Sequence, residues 1–134
     1  MPLTLIDTSS WVEALRRQGS EVVRDRVHKL LVEGQAAWCD MVLLELWNGA
    51  RGDNEKKRLG QLEQEMICLP TTSLVWEKAR LLARLCRENG LTAPATDLLI
   101  IACAGTHEVD IEYQDIHFAA ILPLVGEGSS KRNT

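Results

Sequence analysis

Short apolar runs alternate with longer helical periodicities along this chain. Leu3, Leu5 and Ile6 form a brief apolar run that stops at Asp7 and three hydroxyl residues, Thr8, Ser9 and Ser10. A short run bounded in this way suits a buried strand. The pattern then predicts a short helix over Trp11–Arg17, broken by Gly19 and Ser20. A second, amphipathic helix is expected over Glu21–Glu33, where Val22, Val23, Val27, Leu30 and Leu31 keep close to a 3.6 period. Gly34 closes it. Ala36–Cys39 reads as a second strand and Asp40 as the cap of the next helix. That helix, Met41–Ala50, is apolar almost all round and is expected to be largely buried. Gly52-Asp53-Asn54 reads as a turn, followed by a charged helix over Glu55–Glu65 with Leu59 and Leu62 as anchors.

Met66–Leu69 is a short extended segment stopped by Pro70, and Thr71, Thr72 and Ser73 offer caps for a long helix over Leu74–Asn89. Thr96 is a cap candidate for a very apolar helix containing Leu98–Ala104. Ile111–Gln114 reads as a strand, and Ile121–Val125 as a last strand that Pro123 confines to an edge. Strand-like runs alternating with helices make this an α/β chain.

The length, 134 residues with 46% hydrophobic content, predicts one domain, over residues 1–125, able to stand without metal or disulfide staples. Residues 126–134, rich in Gly and Ser with Lys131 and Arg132, read as a disordered tail. No apolar run approaches the roughly 20 residues needed to cross a bilayer. No secretory leader is evident at the start, so the expected location is cytoplasmic, with no membrane partner. Cys39, Cys68, Cys86 and Cys103 are widely spaced in apolar settings and are expected to be buried free thiols. With 15 basic and 19 acidic residues the net charge is −4, and no basic stripe advertises nucleic acid.

Four acids stand out. Asp7 follows the first strand, at the end of the sheet where α/β folds bind ligands. Glu45 lies in the middle of an apolar helix, where a lone carboxylate costs several kcal/mol or takes up a proton unless it is met by a cation or by donors. Asp97 opens another apolar helix, and Asp115 follows an extended segment as Asp7 does. Capping and macrodipole roles could account for Asp7 and Asp97 taken singly, and a salt bridge to Arg51 for Glu45. If the four converge, two carboxylates about 4 Å apart repel by roughly 4 kcal/mol at an effective dielectric near 20. A cation then becomes necessary, and oxygen ligands suit a hard ion, Mg²⁺ or Mn²⁺. His117, two residues from Asp115, is a weaker extra ligand candidate. Ser9 could hydrogen-bond a carboxylate or a phosphate oxygen, and Asn48 shares a helix face with Glu45. No P-loop or G-x-G-x-x-G is present.

The D-T-S-S at Asp7, L-E-L-W-N-G around Glu45, T-D-L-L-I-I-A-C-A from Thr96 and Q-D-I-H-F around Asp115 together resemble a PIN-domain ribonuclease, more narrowly the VapC group of bacterial type II toxins. The resemblance runs from Leu3 to about Leu124. It implies a three-layer α/β/α fold with a central, mostly parallel sheet, and a Mg²⁺ or Mn²⁺ site made by Asp7, Glu45, Asp97 and Asp115. It further implies endoribonuclease activity on an RNA substrate, homodimerisation and a cognate antitoxin protein. One departure is the I-E-Y-Q before Asp115, where the family more often has an apolar strand ending in Thr. A non-cleaving PIN-like module that binds RNA or protein is an alternative. A phospho-acceptor receiver domain fits less well, because Asp7 has no acidic neighbour. Arg16, Arg17, Arg51 and Lys56 are candidates for a basic rim that meets RNA.

Overall fold

A computed structural model describes residues 2–128. The chain runs β1 (Thr4–Ile6), α1 (Thr8–Leu15), α2 (Glu21–Val32), β2 (Ala36–Cys39), α3 (Asp40–Gly49), α4 (Gly52–Glu65), β3 (Ile67–Leu69), α5 (Ser73–Glu88), α6 (Ala95–Thr106), β4 (Asp110–Glu112) and α7 (Ile116–Gly128). The four strands form one sheet in the order β3-β2-β1-β4, and every pairing is parallel. From β1 the chain steps to β2 and β3 in one direction, then crosses back past β1 to β4. Right-handed crossovers put the helices of those two excursions on opposite faces of the sheet, which gives the expected three layers. α1 packs on α2, and α5 on α6. The strand order reverses beside β1, so the crevice between the carboxyl ends of β1 and β4 is the natural place for a site.

The core explains why so few residues per strand suffice. Leu5, Ile6, Ala37 and Cys39 are completely buried, as expected of parallel strands covered on both faces. Trp11 of α1 packs on Trp38 of β2 with ring centroids 5.5 Å apart. α6 is buried over the whole stretch Asp97–Ala104, so the apolar run that begins it is core all the way round. Leu59 and Leu62 anchor α4 as expected.

Several sequence expectations fail, each for a physical reason. α3 is not largely buried: Val42 and Leu46 face the core, while Leu44 is 62% exposed and Trp47 is also accessible. Its apolar residues therefore cover two faces, and only one meets the core. Asp40 is not a cap. It is the first helical residue of α3, after Cys39, and the cap position makes no side-chain hydrogen bond. α4 starts at Gly52, whose φ of +72° lets the chain turn into the helix with no separate loop. Thr96 is not a cap either, because α6 begins at Ala95 behind Pro94. Ile121–Val125 is helical, not a strand. Phe118, Ile121 and Leu124 are buried at helical spacing while Pro123 is exposed, so packing holds α7 together across a residue that forfeits one backbone bond. Cys68 is exposed, unlike the other three free thiols. Residues 126–128 of the expected tail are instead the end of α7, and residues 129–134 lie outside the described residues.

Candidate metal centre

Asp7 caps α1. It directly follows β1, is 2% exposed, and its Oδ2 accepts hydrogen bonds from Ser9 N at 3.1 Å and Ser9 Oγ at 2.6 Å. Its backbone N donates to Glu112 O of β4 at 2.9 Å, so pairing of the strands fixes where the carboxylate stands. The Ser9 hydroxyl also accepts from Gln114 N at 2.9 Å and Asp115 N at 3.1 Å. One side chain thus ties the end of β1 to the segment that carries the last acid.

Asp115 repeats the device of Asp7 at the head of α7. Its Oδ1 accepts from the backbone N of His117 at 2.9 Å and lies 2.8 Å from His117 Nδ1. The residues after Asp115 are therefore helical, not extended, and His117 folds back onto the acid. Glu45, on α3, is half-buried, and its Oε1 accepts from Thr8 Oγ1 at 2.7 Å. Arg51 does not pair with it; the Arg51 backbone N turns to Glu55 instead. Asp97, in the first turn of α6, is 6% exposed. Its Oδ2 is buried without a hydrogen-bond partner and lies 3.6 Å from His117 Nδ1. Asn48 is exposed and takes no part in the hydrogen bonding around the acids.

The four acids feel one another. Burial pushes Asp7 above the usual carboxylate range against the pull of the Ser9 hydrogen bonds, and the charge of Asp115 adds to the rise. Burial also raises Glu45, opposed by Thr8 and reinforced by the charges of Asp7 and Asp115. Asp97 is pushed up to about 7, first by burial, then by Asp115 and Asp7, with His117 pulling the other way. Burial works upward on Asp115 too, but hydrogen bonds from the His117 backbone and ring and from Asp97 outweigh it, and its carboxyl is held low. Asp115 is the common neighbour of the other three.

Among the described residues no lysine or arginine pairs with any of these acids; the only ionic partner is His117. Glu112, on the adjacent strand, shows the contrast. It is matched by Arg26 at 2.7 Å and by Ser10 Oγ at 2.9 Å. Crowded carboxylates without cations, one of them with a buried unsatisfied oxygen, are an arrangement that a divalent ion makes tolerable. Carboxylate oxygens of Asp97 and Asp115 and a ring nitrogen of His117 lie within 4.8 Å of one another. The donor set fits such an ion. Thr8, as the residue that positions Glu45, was not singled out by sequence; its only signal was its place in the hydroxyl run after Asp7.

The PIN domain profile matches residues 4–121. The chain belongs to the PIN-domain family. Among its relatives are the VapC ribonuclease Mb1587 of Mycobacterium bovis and ribonuclease VapC11 of Mycobacterium tuberculosis. Each is 33% identical over 126 residues, covering 91% of this chain and 93% of the relative. Similar solved structures include FitAcB from Neisseria gonorrhoeae, with a TM-score of 0.71 at 23% identity over 89% of this chain and 93% of that one. VapBC2 from Rickettsia felis, bound to a DNA fragment from its promoter, gives 0.73 at 16% identity over 88% of this chain and 91% of that one.

Proposed function

We propose that this PIN domain is a divalent-metal-dependent endoribonuclease, the toxin of a type II toxin–antitoxin pair. Asp7, Glu45, Asp97 and Asp115 hold the ion, Mg²⁺ or Mn²⁺. The observation that carries this reading is the buried Oδ2 of Asp97, which has no hydrogen-bond partner and is flanked by carboxylates that no lysine or arginine neutralises. A bound divalent ion supplies charge neutralisation at a phosphodiester and acidifies water at neutral pH.

The protein's own groups prepare the site. Ser9 fixes the Asp7 carboxylate and sets the height of Asp115 through the two backbone bonds it accepts. Thr8 occupies Oε1 of Glu45, which leaves Oε2 to face the ion. Burial and the charges of Asp7 and Asp115 disfavour the bare Glu45 carboxylate, and a cation would relieve that cost. Exposed Arg16, Arg17, Arg51 and Lys56 form the rim that meets the RNA backbone.

The relatives named ribonuclease and the neighbours named VapBC support the assignment of substrate and antitoxin. Exposed apolar side chains on α3 and α5, among them Leu44, Trp47, Trp76 and Leu81, are surface of the kind that a second copy or an antitoxin covers. No helix among the described residues is long and apolar enough to cross a membrane, and we place the protein in the cytoplasm as a single domain. The test is RNA cleavage by the purified chain with and without Mg²⁺ or Mn²⁺. Cleavage that depends on the added ion and vanishes in Asp97→Asn is expected. Undiminished cleavage by that variant would overturn the assignment.

A further inference from the structure

We propose that His117 is itself a ligand of the divalent ion, through Nδ1, so that the site is a mixed nitrogen–oxygen cage that favours Mn²⁺ over Mg²⁺. This rests on the metal-site reading above and goes beyond its four carboxylates.

The spacing supports it. His117 Nδ1 lies 2.8 Å from Asp115 Oδ1 and 3.6 Å from Asp97 Oδ2. For ligands about 2.1 Å from one octahedral centre, neighbours sit roughly 3.0 Å apart and opposite ligands roughly 4.2 Å apart. Both distances are close to that span, so a small closing or opening of the trio admits an ion between them. Asp97 is nearly buried and its unpartnered Oδ2 is the atom turned toward the imidazole. The backbone N of His117 donates to the same Asp115 oxygen that meets Nδ1, so the acid is held where it faces the imidazole. A neutral ring facing the Asp115 carboxylate would hold its hydrogen on Nδ1. An ion would take the place of that hydrogen, and the ring would keep its proton on Nε2, which points away from the pair.

The chemical consequence is selectivity. Mg²⁺ prefers oxygen and gives up its waters reluctantly, whereas imidazole nitrogen suits transition-metal ions, and Mn²⁺ is the one that also accepts a carboxylate-rich site. The other two histidines do not compete. His28 is exposed on α2, and His107 Nε2 is taken up with Pro70 O at 2.8 Å.

The experiment is Mn²⁺ binding to the full chain, followed by spin-echo resonance of the bound ion, with and without isotope-labelled histidine. The expected result is a directly coordinated nitrogen whose signal changes with the label and disappears in His117→Gln. That variant should bind Mn²⁺ about tenfold more weakly while its Mg²⁺ affinity moves by less than about twofold. His117 is half-exposed, with 49% of its side chain accessible, so the variant should fold, and an unchanged circular dichroism melt checks this. Mn²⁺ bound without nitrogen coupling, or with coupling that survives His117→Gln, overturns the role of His117 and leaves the carboxylate site standing. Failure to bind Mn²⁺ at all, equally in Asp97→Asn, overturns both.

Discussion

β1 and β2 each end at an aspartate beside a helix start, Asp7 ahead of α1 and Asp40 as the first residue of α3. The two residues then part company. Asp7 is buried, caps its helix through Ser9, and feels the charge of Asp115. Asp40 is exposed, caps nothing, and its side chain accepts only a weak bond from Cys68 Sγ at 3.5 Å. Local sequence barely distinguishes them. Position in the sheet does: β1 sits where the strand order reverses, with β4 and Asp115 on one side, whereas β2 lies between β1 and β3. Asp7 meets other acids because a second excursion of the chain brings them to the same strand end.

The sharpest way to break this comparison is to neutralise one acid at each place. Asp7→Asn should lower RNA cleavage by about 100-fold or more and leave the circular dichroism spectrum unchanged, because asparagine still caps α1. Near-normal turnover would remove Asp7 from the chemistry.

Next in size is Ser9→Ala. It strips a donor from Asp7 and leaves the backbone N–H groups of Gln114 and Asp115 without their acceptor. A stability loss of about 1–3 kcal/mol and an activity loss of about 10–100-fold are expected, read from a urea melt and initial rates. Loss of stability with full activity would show that the serine only staples the fold.

The third test uses pH. In the metal-free protein burial and the charge of Asp115 push Asp97 from the usual carboxylate range up to about 7, so the native state holds a proton that the unfolded chain has already released. Between those limits stability therefore falls as pH rises, by an amount on the order of 2 kcal/mol, or roughly 5–10 °C in Tm. Saturating Mn²⁺ at pH 8 should restore it, by about 2.7 kcal/mol at 100 times Kd. Asp97→Asn should flatten the profile and raise the metal-free Tm at pH 8. A melting temperature that climbs over this window would contradict the buried, uncompensated carboxylate.

The smallest effect is the control. Asp40→Asn should change activity by less than about twofold and stability by no more than about 0.5 kcal/mol. A large loss of cleavage would mean that β2 also contributes to the site.

Much of this was legible in the chain. The first two strands and the long helices could be read from apolar runs, and the four acids of the proposed site stood out as carboxylates in places that penalise them. What could not be read was set by packing. α3 and α6 look equally apolar, but α6 is enclosed by the sheet and its neighbouring helices while α3 leaves Leu44 and Trp47 outside. Ile121–Val125 was masked by Pro123, although Phe118, Ile121 and Leu124 carried the helical spacing. His117 was underweighted because its segment read as extended; once Asp115 heads a helix, the histidine two residues on turns back to it. Thr8 was invisible as a partner of Glu45 because that bond spans 37 positions.

The bond from Asp115 N to Ser9 Oγ joins residues 106 positions apart. Closing so long a loop is among the slower and costlier events of assembly. The proposed metal centre draws on both ends of the domain, and it is complete only once β1 and the start of α7 have come together. For a protein proposed to cut RNA, the same contact ties activity to closure of the whole fold.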